Sequence, residues 1–152
     1  MKEKLSIQEK QILVSVISSV LILGLYTVYV YRYYFAVNPE LINNFRFWGK
    51  AFIILIPIAI VVQIVIHIVF SIINKIITQE DMPTMSDERD KLIERKSIRI
   101  SHWVFTIGFL LSMGSLAIGM QPWIMFVTLI CSGFVASIIS EIVKFYFYRK
   151  GI

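Results

Sequence analysis

Four apolar runs, each long enough to cross a bilayer as a helix, leave this chain few ways to fold. They cover about residues 12–31, 51–73, 102–120 and 123–145. At 1.5 Å of rise per residue, about 20 helical residues match the roughly 30 Å of a hydrocarbon core. A water-soluble alternative fails on area. Apolar and aromatic residues make up 57% of the 152-residue chain and charged residues 16%, against about 45–50% and 25% in soluble domains. A soluble domain of this size still leaves roughly 30% of its unfolded surface in water, so the surplus has to face lipid. The expected fold is an all-α integral membrane protein, a single membrane domain of four transmembrane helices in two antiparallel hairpins.

The charged residues sit outside those runs. Lys2, Lys4 and Lys10 precede the first, and Lys144, Arg149 and Lys150 close the chain. Six more (Lys75, Arg89, Lys91, Arg95, Lys96 and Arg99) lie in the connector 74–101. The other two links hold Arg32, Arg46 and Lys50 in the first and none in the second. Twelve cations against three puts both termini and the connector in the cytoplasm by the positive-inside rule. A net charge of +5 distributed this way speaks for membrane orientation, and no direct nucleic-acid binding is expected. The first run is longer than a signal-peptide core and no small-residue cleavage site follows it, so it reads as a retained anchor. A multi-pass bacterial plasma-membrane protein fits these features.

Aromatic residues gather after the first run: Tyr26, Tyr29, Tyr31, Tyr33, Tyr34 and Phe35. Such rings favour the headgroup level. In the link that follows, Asn38-Pro39-Glu40 combines a capping residue, a proline at the first helical position and an early carboxylate. A short surface helix through Leu41 and Ile42 follows from it, with Phe45, Phe47 and Trp48 at the interface. Pro57 is expected to kink the second span. The third and fourth runs are separated by Gln121-Pro122, which predicts a tight link.

The stretch 86–99 carries nine of the 25 charged residues. After the break at Asp81-Met82-Pro83-Thr84, Thr84 or Ser86 is expected to cap an amphipathic cytosolic helix leading into the third span. Its acids come first (Asp87, Glu88, Asp90) and its bases later (Arg95, Lys96, Arg99), which suits the helix dipole. The basic end is expected to contact anionic lipid headgroups. Asp87, Asp90 and Glu94 share a face, but the neighbouring Arg89, Lys91 and Arg95 make it an ion-paired surface, and no metal is expected there.

Inside the spans, polar groups are few. Gln63, His67 and Ser71 recur every four residues as one stripe on the second. Such groups face the bundle interior, either as interhelical glue or as a polar path. The glue reading pairs Gln63 and His67 with serines of the facing hairpin. Glu141, three residues before Lys144, allows a local ion pair. Gly108, Ser112, Ser115 and Gly119 form a small-residue face on the third span, and Ser132, Ala136 and Ser140 another on the fourth. Small residues let backbones approach. These faces are expected to pack hairpin against hairpin or, in a homodimer, protomer against protomer.

No phosphate-binding glycine loop, G-x-S-x-G, H-E-x-x-H or C-x-x-C occurs, and Cys131 is the single cysteine. Neither catalysis nor a cofactor is expected. The first functional expectation is a regulatory or interaction protein whose helix 86–99 docks a soluble partner through Asp87, Glu88, Arg89, Asp90, Leu92 and Ile93. The alternative is a small transporter, channel or immunity-type protein using Gln63, His67, Ser71 and Glu141.

Met85-Ser86-Asp87-Glu88-Arg89-Asp90-Lys91-Leu92-Ile93, followed by a basic helix and a hydrophobic hairpin, resembles a group of small prokaryotic membrane proteins. They share a cytosolic D-E-R-D-x-x-I signature, and most are of unknown function. The resemblance covers Met85 to the C-terminus. Members often sit beside genes for small helix-turn-helix regulators, which implies a role in regulation or envelope stress and a transcription regulator as the partner. It brings no catalytic residues.

Overall fold

Capping chemistry sets where each helix of the computed structural model begins and ends. The structure describes residues 6–78 and 87–151. Helix α1 (Ile7–Val30) starts five residues before the first apolar run because Ser6 and Glu9 form a capping box. Glu9 N donates to Ser6 Oγ (3.2 Å) and Ser6 N to Glu9 Oε2 (2.8 Å). α1 passes directly into a π-helical turn, Tyr31–Phe35. A 3-10 helix, Pro39–Asn43, follows with Asn38 as its cap, as Asn38-Pro39-Glu40 indicated. Asn44 Oδ1 then accepts from Arg46 N and Phe47 N (3.0 and 3.3 Å) at the start of α2 (Phe45–Thr78), which contains Pro57 without ending there.

Helix α3 (Glu88–Ala117) is capped by Asp87, whose side chain accepts from Glu88 N. That replaces the expected cap at Ser86 or Thr84. Both of those residues, and the break at Asp81-Met82-Pro83-Thr84, lie outside the described residues. α3 stops at Ala117, three residues short of the expected 120. Gly119 adopts φ +81°, Met120 N donates to Ser115 O and Gly119 N to Leu116 O, which together make a Schellman motif. Gly119 therefore ends the helix and is not a packing position. Gln121 stands at the N-cap position of α4 (Pro122–Lys150) without a side-chain bond to its amides, and Pro122, which needs none, takes the first position.

All four helices are long and apolar enough to cross a membrane, the make-up of a multi-pass membrane protein. In α2 only 6% of the most apolar window is buried, against 28% in α1. Ile53, Ile60, Ile64, Ile68 and Ile72 are each more than half exposed. So much outward isoleucine needs lipid as its solvent. Helix α4 is the hub: α3 packs along it, α1 packs on it and on α2, and the backbone of α3 approaches no helix but α4 among the described residues.

The small-residue faces join α3 to α4, which corrects the expected packing of hairpin on hairpin. A Cβ added at Gly108 would land on the Cβ of Ser132. Ser112 Oγ donates to Met125 O (2.8 Å) and Ser101 Oγ to Ala136 O (2.9 Å). Residue numbers falling on one helix as they rise on the other make the pair antiparallel. Ser112 is fully buried, as are, within 4–8% exposure, Ser115, Ser132 and Ala136. Where α2 and α4 begin, Trp48 is buried. It stacks on Phe126 (5.6 Å between centroids, 3° between planes) and donates from Nε1 to Ile42 O (2.8 Å).

Candidate functional site

The charged beginning of α3 lies against the end of α4. Tyr148 donates to Asp90 Oδ1 (2.9 Å), and Arg89 donates to Tyr148 O (3.5 Å). Tyr148 follows the apolar run of α4. Burial, reinforced by the bond to Asp90, pushes its hydroxyl up to about 12, so it remains a donor at any physiological pH. Ile93 is 2% exposed and Ser97 is fully buried, Ser97 Oγ turning back to Glu94 O. Lys96 Nζ lies 5.2 Å from the centre of the Phe147 ring. Nearby, Arg149 reaches Glu9 (3.5 Å), tying the start of α1 to the end of α4.

This geometry divides the expected partner-binding set. Asp90 and Ile93 face inward and serve the α3–α4 contact, and Asp87 is the helix cap. Glu88, Leu92, Arg95 and Arg99 are exposed at intervals of four, three and four, which places them on one open helix face. Leu92 is 56% exposed. Among the expected lipid contacts, Arg95 and Arg99 lie on that open face, and Lys96 is turned to Phe147.

Comparison with models of protein families, with curated proteins and with solved structures finds no match. The reading of this site therefore rests on its geometry.

The intramembrane polar residues are not gathered in one path. Gln63 is held by α1: its Nε2 donates to Ser15 Oγ (2.8 Å) and Ser18 Oγ donates to its Oε1 (3.0 Å). These serines belong to the neighbouring helix in sequence, and not to the facing pair expected above. His67 makes no such bond; its Nδ1 is buried without a hydrogen-bond partner among the described residues, and its carbonyl accepts from Ser71 Oγ (2.8 Å). The stripe continues to Asn74, which is buried. Glu141 forms the local pair with Lys144 at 2.8 Å.

Two adjoining cavities lie beside α4. An apolar one of about 720 Å³ opens between α2 and α3, with Gln63 at its rim among Phe52, Ile60, Phe105, Phe109 and Phe134. A smaller one, about 380 Å³, holds His102, Ser140 and Glu141 and shares Phe105, Gly133 and Ser137 with the first. His67 lines neither. Among the described residues, no group of His, Cys, Asp and Glu is arranged to hold a metal ion.

Sequence reasoning passed over three features. Ser15, Ser18 and Ser19 are buried on α1, a small polar face like the ones noticed on the third and fourth spans. The Ser6–Glu9 box had its signature in S-I-Q-E. The antiparallel pairing of Asp90 with Tyr148 had no signal, because it joins residues 58 apart.

Proposed function

We propose that the chain is a non-enzymatic membrane protein of regulation or interaction whose charged α3 stub docks a soluble cytosolic partner. In this reading the four spans form two antiparallel hairpins in a bacterial plasma membrane, with both termini and the stub inside. Twelve cations at the terminal end against three at the other support that orientation.

The observation that carries the reading is Leu92. An exposed leucine between Glu88 and Arg95, on a helix face turned away from α4, offers an apolar anchor ringed by charge. That is the composition of a helical docking surface, in which the apolar residue contributes affinity and the charges select the partner. The stub is braced, because Tyr148, Ile93 and Ser97 hold its other face, so little ordering has to occur on binding. The D-E-R-D-x-x-I resemblance favours a transcription regulator as partner.

The transport reading has weaker support. Gln63 spends its amide on two serines and Glu141 its charge on Lys144, so neither is left waiting for cargo.

A pull-down from native membranes tests the docking face. Glu88→Lys/Leu92→Glu should lose a soluble protein that wild type and Asp90→Asn both retain. Equal retention by the double variant would overturn the assignment.

A further inference from the structure

We propose that a second site, at the opposite end of the molecule from the α3 stub, binds a phosphate group. It is a cavity of about 370 Å³ between α1 and α2, lined on its polar side by Tyr26, Tyr29, Tyr34, Asn44, Arg46 and Lys50. The inference does not depend on the docking function or on which side of the membrane this end occupies.

The charges come first. Arg46 and Lys50 stand one helical turn apart near the start of α2, and like charges at that spacing repel. Neither has an acidic partner among the described residues. Glu40 is the sole acid between residues 31 and 50; it is exposed on the 3-10 helix and does not line the cavity. The dipole of α2 adds a partial positive potential at the same end, although Asn44 caps its first amides. Two cations maintained against their own repulsion beside a cavity call for an anion.

The second part is the tyrosine wall, which depends on the π-helical turn. On an α-helix, Tyr34 would point well away from Tyr29, five residues earlier. The i to i+5 winding of Tyr31–Phe35 sets both Tyr33 and Tyr34 against Tyr29, with ring centroids 5.1 and 5.9 Å apart. Tyr26 commits its hydroxyl to Ala51 O (2.8 Å) and Asn44 its side chain to the α2 cap, while Tyr29 and Tyr34 are linked through their hydroxyls and the pair keeps one proton to present to a ligand. Two cations on α2 and the linked tyrosine pair facing them offer donors from opposite sides. A tetrahedral phosphate, with oxygens in several directions, fits that array better than a planar carboxylate. The phosphate can belong to a lipid headgroup or to a soluble molecule.

Native mass spectrometry of the full chain separates these sources. The chain is released from neutral detergent containing equimolar dioleoyl phosphatidylglycerol and dioleoyl phosphatidylcholine. Wild type should retain phosphatidylglycerol preferentially, and Arg46→Gln/Lys50→Gln should lower those adducts about tenfold or more, since one charged hydrogen bond is worth roughly that factor. Lys10→Gln/Lys150→Gln, at the other end, should retain wild-type adducts. Tyr29→Phe/Tyr34→Phe preserves the rings and removes the hydroxyls, so a drop here too supports the site even if the charge variant fails to fold. Displacement of the lipid by inorganic phosphate would assign a soluble phosphate ligand; resistance to it would assign the headgroup. Wild-type phosphatidylglycerol retention by both the charge and the tyrosine variants would overturn the proposal, as would a wild type that shows neither lipid preference nor phosphate binding.

Discussion

The α3–α4 and α1–α2 seams show two ways to join helices where lipid removes the hydrophobic incentive. Between α3 and α4 the backbones themselves meet. Gly108 leaves no room for a Cβ against Ser132, and serines reach across to main-chain carbonyls of the facing helix. Between α1 and α2 a long side chain spans the gap: Gln63 binds two serines, and Tyr26 reaches Ala51 O. The first seam depends on what is missing from its side chains and the second on what its side chains extend. The first should therefore be brittle to added volume, and the second only to the loss of a functional group.

The largest test of that contrast is Gly108→Val. Its methyl groups must push α4 away along the whole seam, and we expect a loss of about 3 kcal/mol, at the upper end for overpacked sites. Unfolding in a mixed-micelle denaturant titration followed by circular dichroism reads it; a loss no greater than that of Gln63→Leu would erase the distinction. Gln63→Leu itself should cost about 1 kcal/mol in the same titration, since intramembrane hydrogen bonds average well below 2 kcal/mol and the Ser18 hydroxyl can donate to Ser15 O instead. A cost matching Gly108→Val would mean that the α1–α2 seam is as tightly constrained as the other. The smallest effect is expected from Tyr148→Phe, about 0.5 kcal/mol, because the Asp90 it releases is only partly buried. Hydrogen exchange should quicken in residues 88–97 and stay unchanged in α1; no change in the stub would show that Ile93 and Ser97 suffice to hold it.

Hydropathy made four helices legible, since lipid solvation demands long apolar runs whatever packs on them. It said less about where helices end, because helix α1 starts with the polar Ser6 box and α2 runs on to Thr78. Gly119 shows why. Its spacing matches the small-residue face of Gly108, Ser112 and Ser115, and spacing alone does not separate a packing glycine from a terminating one. The nearby Pro122 was the available clue, as proline commonly follows a helix stop. Of the residues proposed for docking, charge order along the helix was readable, but which face meets α4 was not. Asp90 and Ile93 are three apart and turn inward together, a choice made by Tyr148 and its neighbours on a distant helix.

The continuity of α3 has a mechanical consequence. Thirty residues make one rod about 45 Å long, with a single helical neighbour among the described residues, latched by the Schellman turn at one end and by Tyr148 at the other. A load applied at Leu92 acts on a lever whose fulcrum is the Gly108–Ser132 contact. Under the proposed docking, releasing the Tyr148 latch would let a partner held at Leu92 tilt the far end of the rod.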